Sequence, residues 1–503
     1  MTLAHSLRLR YASIIVTAIL LFVPAAHPET TRAIIRVDLN APGPVISNHI
    51  FGNNMKVWGG GGEMVWDTNG HTLKNGIVER LAPLGVTVLR FPGGSKAEEY
   101  DWRAAVGKTR GGTGGTRFDF GTDEFMEFCR RLKAEPLITV NGGAAPKEAA
   151  DWVEYCNGSI DTPMGKLRAE NGHPLPYNVR CWEIGNENYV SQKAKDYAAS
   201  IPEFARLMKA ADPSIKIGGV GWGWPNWKSH YTKDTDPWNE TVLAIAGKHL
   251  DAFIIHEYCW IDPAPKPEQR TDELMHTVLG WPPQMAKELL AVRKSFADAG
   301  VPDLPIWMTE FNGYYGEKGM CKILGHTING VLVASMMNEF VRLNIPLACN
   351  WDMASSGWSR FAAIANPSEG KWMYRPSWHV LSLYARSLSG RILPVSVDGP
   401  RFDHAKYSIV RAGKDTPGID VIAAQNSNAV TLMLVNKLEY EVTAVIQLDG
   451  ASKAAGISCT LFSGENAFSE TYGIRETIHT PSLPASVVLP ACSVSAVTIK
   501  DIK

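Results

Sequence analysis

The stretch "VRCWEIGNE", residues 179–187, opens as an apolar run and closes on a glycine, an amide and a carboxylate. Read as a strand, it places Glu183 and Glu187 on one face, because side chains alternate with a period of two. A carboxylate behind a buried run costs free energy unless it is paired or used. Seven further short apolar runs end the same way: "HIFGNNMKV" (49–57), "VTVLRFPGG" (86–94), "PLITVNGG" (136–143), "KIGGVGWG" (216–223), "DAFIIHEY" (251–258), "PIWMTEFN" (305–312) and "PLACNWDM" (346–353). Helix-like stretches lie between them. "TDEFMEFCRRLKAE" (122–135) offers Thr122 as a cap, with acids in the first turn and bases in the last. "SIPEFARLMKAAD" (200–212) and "TINGVLVASMMNEFVRL" (327–343) are apolar at helical spacing. Near-continuous apolar strands alternating with helices indicate a parallel sheet covered on both faces, and eight such units predict a (β/α)8 TIM barrel.

The texture changes after about residue 390. "DVIAAQNSNAVTLMLVNKLEYEVTAVIQLDG" (420–450) and "ASVVLPACSVSAVTIK" (485–500) alternate in short runs with few helix signals, as in an antiparallel β-sandwich. "RAIIRVDLN" (32–40) reads as one more strand, able to join that sandwich. At the amino terminus, Arg8 and Arg10 precede the short apolar run "YASIIVTAILLFVPAA" (11–26), the pattern of a secretory signal peptide. The expected division is a signal peptide over 1–28, a catalytic barrel over 45–388, and a β-sandwich built from 29–44 plus 389–503. The expected location is secreted or periplasmic, with no membrane association once the signal is removed.

Composition removes other classes. The 503 residues carry a formal net charge of −1, so no global field favours nucleic acid. No two of the eight cysteines form C-x-x-C, and several sit in apolar runs, so buried free thiols are expected. "HEYCW" (256–260) lacks the second histidine of a zinc-protease motif. The glycine-rich 107–118 segment has Trp102 where a phosphate loop needs its first glycine. No metal or organic cofactor is expected.

In a barrel of this kind the active site lies at the carboxyl ends of the strands. The run ends supply Asn54, Arg90, Asn141, Asn186, Glu187, His256, Tyr258, Glu310 and Trp351. Glu187 and Glu310 would converge across the mouth, and paired carboxylates are the machinery of glycoside hydrolysis. On residue types alone two strand-end glutamates in salt bridges are the favoured reading, and the surrounding motifs change that. His256 shares the parity of Tyr258 and would face the pocket, with a core histidine as the competing reading; Glu257 has the opposite parity. Trp222, Trp224 and Trp227 near the fifth run, and Trp351, Trp358 and Trp372 after the eighth, offer flat faces for sugar rings or for loop packing.

With "WEIGNE" and "WMTEFN", the chain resembles clan A retaining glycoside hydrolases. More narrowly, "IFGNNM", "LRFPGG" followed by "YDW", "TVNGGAAPKEAADWVEYCNG" and "IIHEY" resemble the family 51 α-L-arabinofuranosidases in order, over roughly residues 45 to 360. That resemblance implies a retaining, exo-acting enzyme that removes terminal sugars from polysaccharide side chains. Glu187 would be the acid/base and Glu310 the nucleophile. Asn186 would bind the hydroxyl next to the anomeric carbon, and Tyr258 would orient Glu310. Arg90 would lie beneath the nucleophile and pair with Glu183. Two departures leave the sugar open: Lys56 and Val57 replace the family's acid and histidine, and Ser95 and Lys96 follow "FPGG" in place of its asparagine. An inward Lys56, helped by Lys96, would suit an anionic sugar, whereas pairing with an acid such as Glu63 would cancel it. The partner is an oligo- or polysaccharide. A xyloside, galactofuranoside or uronide remains an alternative, as does a non-catalytic carbohydrate-binding barrel, and a homo-oligomer is possible.

Overall fold

The computed structural model describes residues 31–57, 61–113, 116–316, 322–355, 361–366 and 370–502. The expected signal peptide, Trp358 and Cys321 lie outside the described residues. Eight parallel strands close into a barrel in chain order. They are Gly52–Asn54, Val88–Phe91, Glu135–Val140, Cys181–Ile184, Lys216–Val220, Ala252–Ile261, Ile306–Tyr315 and Leu347–Asn350, called here the first to eighth barrel strands. The second and eighth are buried at every residue, which is why the sequence reads as apolar runs without alternation. Val88, Leu137, Ile254, Trp307 and Leu347 form a small core of their own.

The sixth and seventh strands are longer than expected. They stay paired out to Ile261 and Tyr315, and the register slips between Ile255 and His256. The seventh slips against the eighth between Met308 and Phe311. Such irregularities re-aim side chains at a barrel rim.

The helix at Thr122–Leu132 is capped by Gly121 rather than by Thr122. The Thr122 hydroxyl is engaged elsewhere, accepting from Trp152 Nε1 at 3.0 Å, while Glu124 accepts from the Gly121 amide at 2.8 Å. A Cβ at Gly121 would fall 1.8 Å from the Ala105 carbonyl oxygen, so a larger cap does not fit.

The carboxyl-terminal part is a pair of sheets around a second apolar core. Arg391–Leu393, Ile419–Asn426, Ala429–Asn436, Ser493–Lys500, Gly456–Gly464 and Tyr472–His479 form the larger sheet, all antiparallel. The smaller runs Val395–Asp398, Arg32–Asp38, Val442–Asp449, Ala485–Leu489. Its one parallel pair joins Arg32–Asp38 to Val442–Asp449. The helix Thr327–Arg342 carries Ser335 and Arg342 onto Asp420 of the larger sheet. All seven described cysteines are free.

Candidate active site

Arg90, at 0% exposure, organises the floor of the barrel mouth. Its Nε binds Glu183 of the fourth strand, and its Nη1 lies 2.8 Å from Glu310 Oε1. Nη2 donates to Asn186 Oδ1 at 2.8 Å and Nη1 to Asn54 Oδ1 at 3.0 Å. Burial works against the charge, but Glu183 and Glu310 outweigh it and push the guanidinium further up. A buried arginine needs such partners, and here one fork holds strands two, four and seven in register.

Glu310 is fixed from its other side by the Tyr258 hydroxyl, which donates to Oε2 at 2.6 Å. Glu187 lies beyond the end of the fourth strand, in a turn with φ of 50°. Strand parity therefore does not set its direction. The left-handed turn, helped by Gly185 at φ 81°, brings its carboxylate back over the barrel. His256 Nδ1 stands 3.0 Å from Glu187 Oε1 and 3.7 Å from Glu310 Oε2. The donor atoms of Glu187, His256 and Glu310 all lie within 4.8 Å of one another, so this is also where a cation could be held. The Glu187 side chain is 32% exposed and that of Glu310 only 6%, so one carboxylate meets solvent and the other is enclosed.

A hydrogen-bond chain sets the histidine tautomer. Thr309 Oγ1 donates to Glu183 Oε1 at 2.8 Å, and Thr139 Oγ1 donates to Glu183 Oε2 at 2.7 Å. With its proton so committed, Thr309 Oγ1 must accept from His256 Nε2, 3.1 Å away. Nε2 therefore carries hydrogen, and Nδ1 is the atom that exchanges a proton with Glu187. Burial pushes the imidazole down, but Glu310 and Glu187 more than offset this and raise it. Burial pushes Glu187 up, yet the hydrogen bond and charge of His256, with smaller contributions from Tyr189 and Arg90, bring it below the usual carboxylate range. Glu310 goes up, chiefly by burial and with Glu187 adding to it; His256, Arg90 and Tyr258 oppose without cancelling. A raised imidazole thus faces a lowered Glu187 carboxyl across Nδ1.

Other residues singled out in the sequence have different surroundings. Asn54 is fully buried and spends its amide on the backbone carbonyls of Thr309, Cys349 and Asn350, so it braces the barrel instead of meeting a ligand. Asn141 donates to the Glu98 carbonyl at 2.7 Å and accepts from the Gly143 amide at 2.8 Å, bracing a loop. Trp222 stacks on Trp227 at 4.1 Å between ring centroids and meets Tyr189 edge-on, behind the acid turn. Trp372 packs under Arg80, away from the carboxylates. The Trp351 ring is beside Gly93, where a Cβ would come within 3.4 Å of it. Glu257 turns away from the mouth into a buried position against Gly223.

Lys56 points inward and is 2% exposed, but its ammonium is ion-paired with buried Asp352 and lies 5.9 Å from the Trp351 ring centroid. Its acid partner is Asp352, not Glu63. The charge expected to suit an anionic sugar is already answered within the protein. Lys96 pairs with Glu99 on the surface and does not reach the site.

Three contributors escaped the sequence reading. Thr309 and Glu310 are adjacent yet both reach inward groups, which alternation forbids; the register slip after Met308 permits it. Tyr189 bonds Glu187 from the turn that follows it. Glu98 looks like any loop acid beside Glu99, but its carboxylate accepts from the amide of Asn186 at 2.7 Å and from Asn188 Nδ2 at 2.9 Å.

The chain is also similar to known proteins. Residues 80–258 match the family model described as the α-L-arabinofuranosidase 1 domain. The chain is 27% identical to a probable α-L-arabinofuranosidase C of Aspergillus fumigatus, over 78% of this chain and 80% of that one. It is 28% identical to α-L-arabinofuranosidase C of Emericella nidulans, with the same coverage. In fold it matches the α-L-arabinofuranosidase of Thermotoga maritima solved with arabinose, at a TM-score of 0.79 and 22% identity, covering 93% of this chain and 100% of that one. The protein is a glycoside hydrolase built on a TIM barrel with an added β-sandwich. Within that class it resembles the family 51 α-L-arabinofuranosidases.

Proposed function

We propose that the protein is a secreted, exo-acting α-L-arabinofuranosidase that works by double displacement, with Glu310 as nucleophile and Glu187 as acid/base. The observation that carries this reading is a buried Glu310, held by Arg90 and Tyr258, with its carboxylate oxygen within 4.8 Å of one on Glu187. Retaining enzymes place their two carboxyls about 5–5.5 Å apart, and inverting ones about 6.5–9.5 Å. A sugar entering the mouth displaces water and lowers the local dielectric. That favours the neutral form of the His256–Glu187 pair over the ion pair, so the proton passes from Nδ1 to Glu187. Glu187 is then the acid that protonates the leaving oxygen, while Glu310, facing Arg90 and a donating tyrosine, attacks the anomeric carbon. After the leaving group departs, Glu187 takes a proton from water, which hydrolyses the glycosyl ester. Asn186 Nδ2 is buried with no partner among the described residues and supplies a donor for the neighbouring sugar hydroxyl.

The arabinofuranoside assignment draws on the names of the relatives. A second reading keeps the chemistry and changes the sugar to a xyloside or galactofuranoside, because Lys56–Asp352 and Ser95 stand where the resemblance leads one to expect other groups. A uronide loses its motive once Lys56 is neutralised. The test is hydrolysis of aryl α-L-arabinofuranoside against xyloside and galactofuranoside, with NMR of the first-formed anomer. Glu187→Ala and Glu310→Ala should each lose about 1000-fold or more on substrates with poor leaving groups, and azide should restore turnover of an activated aryl glycoside with retained configuration only in Glu187→Ala, any azide product of Glu310→Ala being inverted. An inverted first product, or unimpaired Glu187→Ala, defeats the mechanism. Export rests on the leader pattern of residues 1–28. Amino-terminal sequencing of protein recovered outside the cytoplasm should begin near residue 29, and an uncleaved cytoplasmic protein would overturn it.

A further inference from the structure

Glu98 is a loop acid with an unusual set of partners. It lies in the short helical turn Ser95–Glu99 that follows the second barrel strand. Its Oε1 accepts from the Asn186 amide at 2.7 Å and the Gly142 amide at 3.4 Å, and its Oε2 accepts from Asn188 Nδ2 at 2.9 Å. The Gly143 amide adds a further donor. Its own carbonyl accepts from Asn141 Nδ2 at 2.7 Å. One carboxylate thus ties together the loops after the second, third and fourth barrel strands. Burial pushes its carboxyl up, and the surrounding donors pull it back down in part.

Two of those donors, Asn186 and Asn188, flank Glu187. The turn between them holds Glu187 at a strained φ of 50° and packs too closely for a side chain at Gly185, where a Cβ would fall 1.9 Å from Asn188 Oδ1. A left-handed glutamate persists only where its surroundings over-determine it, and the charge-assisted bonds of Glu98 to Asn186 and Asn188 restrain it on either side, beside the bond from Arg90 to Asn186. Glu98 touches neither Glu310 nor the mouth in any bond described above.

We propose that Glu98 is a positioning residue for the acid/base: its carboxylate holds the 185–188 turn so that Glu187 reaches the leaving oxygen. This rests on the reading of Glu187 as the acid. A misplaced acid harms substrates in proportion to their need for protonation, whereas general loosening of the fold harms all substrates alike. The deciding variant is Glu98→Gln, which keeps the shape and one acceptor but turns a donor towards Asn188. Its kcat/KM is measured on full-length enzyme over a series of aryl and alkyl glycosides of rising leaving-group pKa, beside wild type and Glu187→Ala, with Tm and circular dichroism for each. General acid catalysis is worth about 100–10,000-fold. Glu98→Gln should therefore lose about 10–100-fold on the poorest leaving groups and less than about 3-fold on the best, steepening the dependence towards that of Glu187→Ala. Glu98→Asp, whose shorter carboxylate can still accept both bonds, should recover part of the loss. Equal loss on every substrate, unfolding of Glu98→Gln, or no loss at all overturns the positioning role while Glu187→Ala keeps its steep dependence. A flat dependence in Glu187→Ala itself would sink the acid assignment instead.

Discussion

Two buried charge clusters sit in this molecule, built from similar parts and put to different ends. At the barrel mouth, Glu183, Glu187 and Glu310 face one guanidinium and one imidazole. Between the helix Thr327–Arg342 and the larger sheet, Glu339 and Asp420 face Arg342 and Lys437. In the second cluster acids and bases balance, Asp420 also accepts from Ser335 at 2.7 Å, and no carboxylate is more than 12% exposed. In the first, acids outnumber cations and one of them opens to solvent. A charge-balanced cluster whose carboxylates are enclosed fixes two surfaces against each other, even with the Arg342 side chain 35% exposed. An open cluster with surplus acid keeps a proton mobile, which is what a catalyst needs.

Three measurements probe that difference. Arg90→Gln should have the largest effect, because it strands Glu183 and Glu310 in the interior. Breaking a buried pair from one side costs about 3–5 kcal/mol, so Tm should drop by several degrees and activity should be nearly lost. An unchanged Tm would mean that the guanidinium is not the keystone described here. Tyr258→Phe removes one donor to Glu310 and no ion. We expect kcat to fall by about 10–100-fold with Tm almost unchanged, in line with loss of one charge-assisted bond of about 1.5–3 kcal/mol. A kcat within twofold of wild type would show that the tyrosine does not serve Glu310. Glu339→Gln concerns the balanced cluster and should leave kcat alone. Burial pushes Glu339 up to about 7 from an ordinary 4.5. The folded state therefore holds a proton that the unfolded state has lost between those values, and stability falls as pH rises through that window. Removing the group should stabilise the protein by about 3 kcal/mol near pH 8 and hardly at all near pH 4. Parallel Tm curves for both proteins from low to high pH would refute the shift.

The barrel was legible because its strands are buried on both faces, which writes each as an apolar run with a polar end. The antiparallel sheets were legible from alternation, as in Val442–Asp449, where every second residue is buried. What resisted reading was whatever departs from regular geometry. Alternation cannot place Thr309 beside Glu310, since a register slip turns both inward. Nor can it place Glu187, which lies outside the strand in a left-handed turn. Lys56 was recognised as odd, but its partner Asp352 is nearly 300 positions away and only closure of the barrel, first strand against eighth, brings them together. Glu98 and Glu99 are indistinguishable in sequence. One is enclosed by three loops and the other pairs with Lys96 at the surface.

The strand Arg32–Asp38 lies between Val395–Asp398 and Val442–Asp449, hydrogen-bonded to both. During synthesis it emerges early, and its parallel partner follows about 400 residues later. At about 5–20 residues per second that wait is roughly 20–80 s. Throughout it, a strand with an unpaired edge must stay clear of the barrel that is closing beside it. The barrel strands are all made before the last sheet strands, so of the two described units the sandwich completes later, and its completion clasps the start of the described fold to its end.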